Sequence, residues 1–323
     1  MATPPLQTPV TVLTGYLGSG KTTLLNRILS ETHGKHYAII VNEFGEVGID
    51  NDLIVNADEE IFEMNNGCIC CTVRGDLIRI LSGLMRRRRT FDGILLETTG
   101  LADPAPVAQT FFVDDEVRRR TKLDAIVTVA DAKHLLNEID RAPEAQEQLA
   151  FADVVLLNKT DLVSAEEQAR VEARIAGINP YAALYRTQRC NVDLGQVLGR
   201  DAFNLGRILE LEPQFLNETH DHEHDNQIAS LSLTADRPLK PQAFMPWIAQ
   251  VMQRYGMDIL RMKGIIAMQD DDWRFVIQGV HMLIEGGRQR PWKPNEKRQS
   301  RLVFIGRELP RDRLRAGFDA CLG

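Results

Sequence analysis

The chain predicts an α/β fold, a parallel-type sheet flanked by helices and followed by a smaller α+β carboxyl-terminal domain, and three observations carry that expectation. Short apolar runs rich in β-branched residues recur between helical stretches, as at Val10–Leu13, Tyr37–Val41, Leu123–Val129 and Val154–Leu157, the pattern of strands buried on both faces. The first of them leads into Gly15-Tyr16-Leu17-Gly18-Ser19-Gly20-Lys21-Thr22, an unbroken match to the phosphate-binding pattern GxxxxGK[ST]. A polar, aperiodic stretch from Asn217 to Asn226 then separates this region from a tail of different composition. The expected division is residues 1–216, a His- and Asp-rich linker at 217–227, and residues 228–323.

Length and charge narrow the classes. A chain of 323 residues has room for a second domain, because single cores stop growing near ~250–300 residues. A net charge of −7 offers no basic footprint for nucleic acid. No stretch approaches the ~20 apolar residues of a membrane span, and Met1–Pro9 lacks the charged and apolar regions of a signal peptide. A cytoplasmic protein with neither nucleic acid nor membrane as partner is expected. The one basic run, Arg86–Arg89, falls at a predicted helix end, where cations complement the macrodipole. The five cysteines are odd in number, with three crowded at Cys68, Cys70 and Cys71, which favours metal or redox chemistry over a disulfide framework.

In chain order, Thr23–Ser30 reads as a helix with Leu24, Leu25, Ile28 and Leu29 inward. Strand, glycine loop and helix follow in the order a phosphate site needs. Gly15, Gly18 and Gly20 let backbone N–H groups approach phosphate oxygens, Ser19 and Thr23 complete the set, and the helix N-terminus adds its positive end. Lys21 is placed for the β- and γ-phosphates and Thr22 for Mg²⁺. The loop Asn42–Asp50 leaves the second strand carrying Glu43, Glu46 and Asp50, either to ligate metal and position water or as an ordinary acidic surface loop.

Ile61–Met64 is a further strand, followed by Gly67-Cys68-Ile69-Cys70-Cys71. In an extended segment Cys68 and Cys70 share a face, so their sulfurs can meet one ion, and Cys71 joins through a local turn. Thiolates select Zn²⁺ or Cu(I), and three of them leave one tetrahedral position open for exchange. Buried apolar cysteines or a redox thiol are the competing readings.

Asp76–Met85 is an amphipathic helix, and Phe91–Leu96 a strand running into Glu97-Thr98-Thr99-Gly100. An acid at the end of an apolar strand is what the second Mg²⁺ motif of a phosphate-loop enzyme requires, which makes Glu97 the candidate, with Gly100 beside the γ-phosphate. Asp103-Pro104 opens a helix as N-cap and first-turn proline. Asp131 closes the strand Leu123–Val129. Val154–Leu157 ends in Asn158-Lys159-Thr160-Asp161, the pattern NKxD. A carboxylate at Asp161 accepts from guanine N1–H and the exocyclic amine, donors that adenine lacks, and such a site rejects the analogue by ~10⁴-fold or more. GTP is therefore expected over ATP. Ala165–Ile178 is a helix, Ala182–Tyr185 a strand, Thr187–Arg189 a loop backing the base, Cys190 an inert thiol and Leu194–Leu211 mixed helix and turn.

In the linker, His220, His222 and His224 alternate with acids, suiting weak metal binding or nothing beyond solvation. The tail reads β-α-β-β-β-α, from strand Ile228–Leu233, helix Pro241–Tyr255, strands Ile259–Met268, Trp273–Ile284 and Arg301–Ile305, and helix Pro310–Cys321. His281 falls inside one of these strands and is expected to be a satisfied core or edge residue.

Taken together, these motifs resemble the CobW-type metallochaperone GTPases, P-loop GTPases of the same broad class as the hydrogenase and urease nickel-insertion GTPases. The resemblance runs nearly end to end: Gly15–Thr22, Asn42–Glu46, Gly67–Cys71, Glu97–Pro104 and Asn158–Asp161, with Leu260–Gly264, Gln278–His281 and Leu302–Gly306 in the tail. Leu95–Pro104 and Thr187–Leu194 are most similar to the zinc-regulated GTPase metalloprotein activators. The resemblance implies GTP, Mg²⁺ and Zn²⁺ as ligands, metal carried at the CxCC thiols, and delivery to a client apo-metalloprotein during a GTP cycle. It is compatible with a homo-oligomer. The amino-terminal client-recognition motif of the eukaryotic activators has no counterpart in Met1–Val10, so their client does not carry over. Within the class, a cobalt carrier for cobalamin synthesis or another metalloenzyme is the runner-up. A zinc buffer with incidental hydrolysis and a translation or signalling GTPase with a structural zinc are the rivals from outside it.

Overall fold

The computed structural model describes residues 7–31, 34–42, 60–64, 72–86, 91–203, 228–294 and 296–323. Glu43, Glu46, Asp50, Cys68, Cys70, Cys71, His220, His222, His224 and the 217–227 linker lie outside them. The chain forms two compact units, residues 1–172 with 182–201, and residues 173–181 with 202–323.

The first unit holds a seven-stranded sheet of β1 (Thr8–Thr14), β2 (Tyr37–Asn42), β3 (Glu60–Met64), β4 (Gly93–Glu97), β5 (Thr121–Asp131), β6 (Val154–Asn158) and β7 (Ala183–Arg186). The order is β3-β2-β4-β1-β5-β6-β7 and every pairing is parallel. All five residues of β4 and of β6 are buried, as a sheet covered on both faces requires. From β1 the chain moves to one side of the sheet for β2, β3 and β4, then to the other for β5, β6 and β7. The connection after β1 runs one way, to β2, and that after its neighbour β5 runs the other way, to β6; the crevice opened between these two strand ends is where open α/β sheets bind ligands.

The helices are α1 (Lys21–Ser30), α2 (Thr72–Met85), α3 (Ala105–Val113), α4 (Asp115–Arg120), α5 (Leu135–Arg141), α6 (Pro143–Phe151) and α7 (Ala165–Ile178). Leu24, Leu25 and Ile28 of α1 are buried, at the spacing of one helical face. The sequence pattern missed α4 and α5, which are about two turns long and bury only Val117 and the pair Leu135 and Ile139. Local chemistry builds α4 instead: the Asp114 side chain accepts from the Glu116 and Val117 N–H groups, and Arg118, Arg119 and Arg120 fill the last turn. At α3 the cap position belongs to Pro104 rather than to Asp103, although the Asp103 carboxylate still accepts from Ala105 N–H at 2.8 Å. β5 runs longer than its apolar core suggests, because its polar residues find partners: Lys122 pairs with Asp201 at 2.7 Å, and Asp124 accepts from Thr11 Oγ1 at 3.0 Å.

The second unit has an antiparallel sheet of β8 (Ile228–Ala235), β9 (Ile259–Ala267), β10 (Trp273–Val280), β11 (Leu283–Pro291) and β12 (Ser300–Arg307), in the order β11-β10-β9-β12-β8, with helices α8 (Pro241–Tyr255) and α9 (Arg311–Asp319). Phe244, Ile248, Leu314 and Phe318 of the helices pack with Leu231, Met262, Ile266, Ile277 and Phe304 of the sheet in one apolar core.

The single strand expected at Trp273–Ile284 is two, β10 and β11, joined at His281 and Met282. His281 is therefore a turn residue in the left-handed region, at φ 50°, with its N–H donated to Leu260 O. β11 escaped notice because Glu285-Gly286-Gly287-Arg288-Gln289-Arg290 carries no apolar alternation. The sheet surface opposite the helices is also buried, and beside apolar residues such as Ile265, Val276 and Val303 it carries polar ones: Arg261 and Lys263 of β9, Gln278 of β10, Ser232 of β8 and Arg301 of β12 all lie there. Arg261 sits 4.2 Å from the Phe203 ring centroid, Gln278 Nε2 donates to Phe203 O at 2.8 Å, and Arg301 Nε donates to Ser232 Oγ at 3.1 Å.

Candidate nucleotide-binding site

Gly15, Gly18 and Gly20 take φ values of 140°, 72° and 117°, and the loop they shape joins β1 to α1. At Gly20 a side chain is excluded twice, by the positive φ and by Asn158 Nδ2, which would lie 2.6 Å from a Cβ there. Lys21, the first residue of α1, is buried and donates to Gly15 O at 2.8 Å and Tyr16 O at 3.3 Å. The ammonium thus arches over the loop it follows. Ser19 is fully buried, with its hydroxyl left without a protein hydrogen-bond partner. Thr22 is partly buried in the first turn of α1, and Thr23 is exposed.

Glu97, buried, ends β4 beside Leu13 of β1. The next residue stitches the two strand ends together: Thr98 N–H donates to Leu13 O at 2.9 Å and Thr98 Oγ1 to Thr14 Oγ1 at 3.0 Å. Gly100 lies against the glycine loop, where a Cβ would stand 2.7 Å from the Leu17 backbone nitrogen. Gln148 of α6 holds this turn, donating from Nε2 to Gly100 O at 3.1 Å and Ala102 O at 3.2 Å.

The Asn158–Asp161 segment approaches the loop from the other side. Asn158 Nδ2 donates to Ser19 O at 3.0 Å, while its Oδ1 accepts from Cys190 N–H at 2.9 Å and Thr187 Oγ1 at 3.2 Å. Lys159 is left-handed at φ 60° and donates from Nζ to Gly18 O at 2.8 Å and Asp131 Oδ2 at 2.7 Å. Thr187 O takes hydrogen bonds from Thr160 N–H and Oγ1, which sets residues 187–190 directly behind the motif. Asp161 stands exposed on a short 3₁₀ turn beyond it.

Sequence reasoning assigned no role to three neighbours of the loop. Asp131 is buried at the end of β5; burial opposes its ionisation, and hydrogen bonds from Lys159 and His134 outweigh that, holding its carboxyl below the usual range. Glu138 of α5 shares a small cavity with Tyr16, Thr128 and Gln148; burial, helped by the charge of Asp131, pushes its carboxyl up to about 7. Cys190, expected to be inert, has its thiol pushed up to about 11 by burial, and its carbonyl takes a 2.6 Å bond from Arg27 of α1. The one available signal was that Asp131, like Glu97, closes the carboxyl end of a strand flanking β1.

A loop of left-handed glycines at the switch point, a lysine over it, and an NKxD segment bonded to it describe a nucleotide site. The family comparison agrees: residues 9–186 match the CobW/HypB/UreG nucleotide-binding domain, and residues 228–322 the cobalamin synthesis protein cobW C-terminal domain. The chain belongs to the CobW family. Among its relatives in that family is the zinc chaperone YjiA of Escherichia coli, 36% identical over 314 residues, 96% of this chain and 97% of the relative. The zinc chaperone CobW of Pseudomonas aeruginosa is 36% identical over 93% of this chain and 88% of its own. The zinc-regulated GTPase metalloprotein activator 1 of Schizosaccharomyces pombe is 34% identical over 94% of this chain and 83% of its own. The crystal structure of Zn(II)-bound YjiA GTPase superposes with a TM-score of 0.81 at 31% identity, covering 98% of this chain and all of that one. A Zn(II)-bound variant of YjiA with one glutamate and two cysteines replaced by alanine matches at 0.82.

Proposed function

We propose that this CobW-family chain hydrolyses GTP and carries Zn²⁺ to a client metalloprotein. The observation that carries the nucleotide half is the direct bonding of the Asn158–Lys159 pair to the glycine loop, which supports reading Asp161 as the base-reading carboxylate and the loop as the phosphate cradle. Gly15, Gly18, Ser19, Gly20 and Lys21 hold the phosphates, with the otherwise unpartnered Ser19 hydroxyl suited to that role. Thr22 and Glu97 would hold Mg²⁺, with Thr23 and Gly100 beside the phosphates; bound there, the ion would neutralise phosphate charge. Lys21 supplies the second positive charge as the γ-phosphoryl leaves. Asn158, Lys159 and Asp161 select guanine.

Zn²⁺ is cargo in this reading, taken up by Cys68, Cys70 and Cys71 with Glu43 as a further oxygen donor, while His220, His222 and His224 hold weaker ions. Residues 1–216 form the GTPase domain, 217–227 the linker and 228–323 the carboxyl-terminal domain. The names of the relatives, zinc chaperones and a metalloprotein activator, support zinc and a client protein. The relative whose structure holds zinc after loss of two cysteines makes affinity, rather than mere occupancy, the useful readout.

The test is zinc affinity by chelator competition in the nucleotide-free, GDP-bound and GTP-analogue-bound states. GTP-gated delivery requires the affinities to differ, typically 5- to 150-fold, and requires zinc to shift GTP affinity by the same factor. Identical affinities in all three states favour a zinc buffer instead. Replacing Cys68, Cys70 and Cys71 by Ser should abolish the tight site, and wild-type protein should bind GDP far better than ADP.

A further inference from the structure

We propose that Asp131 is a positioning residue for guanine recognition, acting through Lys159; this rests on the reading of Asn158–Asp161 as the base site. The Asp131 carboxylate is held at both of its oxygens. Its Oδ1 accepts from two backbone amides just downstream, Lys133 N–H at 2.9 Å and His134 N–H at 3.3 Å, so the side chain is fixed by the turn between β5 and α5. That leaves Oδ2 aimed at Lys159 Nζ, 2.7 Å away, with the imidazole of His134 on the same oxygen at 3.0 Å. The carboxylate side chain is 4% exposed and that of Lys159 33%.

Lys159 is thereby held at both ends. Its backbone leaves β6 in the left-handed region, and its ammonium is pinned at the far end between Asp131 and Gly18 O. A four-carbon stem fixed at both ends is a flat apolar strip, and a purine laid on it meets no mobile group. The same stem is a strut: together with the Asn158 bond to Ser19 O it fixes the distance from Asp161 to the phosphate loop. Without the anion, Nζ retains the single carbonyl of Gly18 among these partners, and a lysine gains many rotamers once one restraint is lost. Asp131 touches neither base nor phosphate in this account.

Asp131→Asn keeps an oxygen for the two backbone amides and turns an amide donor toward the ammonium. Losing a hydrogen bond to a charged group in this setting is worth roughly 10- to 100-fold in affinity. The experiment titrates fluorescently labelled GDP and ADP into wild type, Asp131→Asn, Lys159→Ala and the double variant. Asp131→Asn is expected to weaken GDP by that factor and ADP by less, since only guanine uses Asp161 as well as the stem, with the loss in turnover falling on KM for GTP more than on kcat. In the Lys159→Ala background the same substitution should change GDP affinity by less than about 2-fold, because its route is gone. A general structural role predicts the opposite, a full additional loss in that background, and would overturn the inference. Unchanged GDP affinity in Asp131→Asn, alongside a wild type that prefers GDP, overturns it alone. Equal affinity of wild type for GDP and ADP overturns the base reading and this inference with it.

Discussion

Replacing Asn158 by alanine tests whether the site is one mechanical piece. The side chain is 2% exposed and makes three hydrogen bonds, to Ser19 of the glycine loop, to Thr187 and to the backbone N–H of Cys190. Alanine orphans the N–H of a fully buried residue and the carbonyl of another, Ser19. Thr187 Oγ1 keeps a long contact to Leu157 O at 3.5 Å. Each buried group left unsatisfied costs ~1–3 kcal/mol, so the substitution should destabilise the first unit by about 3–5 kcal/mol. That is a large part of the ~5–15 kcal/mol available to a folded protein. Urea unfolding followed by far-ultraviolet circular dichroism measures the loss, and hydrogen exchange locates it. Peptides spanning 15–24 and 187–197 should lose protection together. Thr187→Val, which removes one of the three bonds, should cost about 1 kcal/mol. A loss below 1 kcal/mol in Asn158→Ala, or exchange confined to one of the two segments, would refute the idea that Asn158 couples them.

Three further outcomes follow from particular contacts. Glu138 has a folded value of about 7 against 4.5 for an unperturbed carboxyl, so the folded chain keeps a proton the unfolded chain gives up. Its stabilising contribution is complete below pH 4.5, fades as pH rises and is gone above about 7; half-buried, it amounts to ~1 kcal/mol. Melting temperatures of wild type and Glu138→Gln should therefore converge at low pH and separate in favour of the variant near neutrality, and a pH-independent gap would contradict this. Gly100→Ala must displace Leu17, whose backbone nitrogen would stand 2.7 Å from the new Cβ. Calorimetric GDP affinity should fall by about 1.4 kcal/mol or more, tenfold, and wild-type affinity would show that the two turns move independently. In the second unit Glu296 pairs with buried Arg274, whose guanidinium lies 4.9 Å from the Trp292 ring centroid. Glu296→Ala strands that cation, costing about 3 kcal/mol. Tryptophan emission during urea unfolding reads it, since Trp247, Trp273 and Trp292 all belong to this unit, and a midpoint equal to wild type would count against the pairing.

Elements that announce themselves through local pattern were legible before any coordinates. The glycine loop, the buried strands and the Asn158–Asp161 motif each depend on neighbours in sequence. What escaped depends on neighbours in space. Asp131 meets Lys159 across 28 residues, Cys190 meets Asn158 across 32, and Arg27 meets Cys190 across 163. No periodicity encodes such meetings. β11 was lost for another reason: an edge strand of glycine and charge lacks the alternation that a buried strand displays, and pairing with β10 decides its conformation. The polar buried face of Arg261, Lys263 and Arg301 likewise disguised itself, because charged residues ordinarily signal solvent.

The position of β1 at the middle of an all-parallel sheet has a consequence for how the molecule is made. It is synthesised before both of its partners, β4 and β5, at residues 93–97 and 121–131. At ~5–20 residues per second the strand waits several seconds for its first neighbour, and longer for the second. Its glycine loop waits longer still, because the clasps from Asn158 and Lys159, and the Cys190 that backs them, are synthesised later. A nascent chain that ends before Asn158 therefore carries the whole phosphate-binding motif without these clasps. The phosphate-binding motif and the side chains that brace it are thus made well apart in time, although they meet in space.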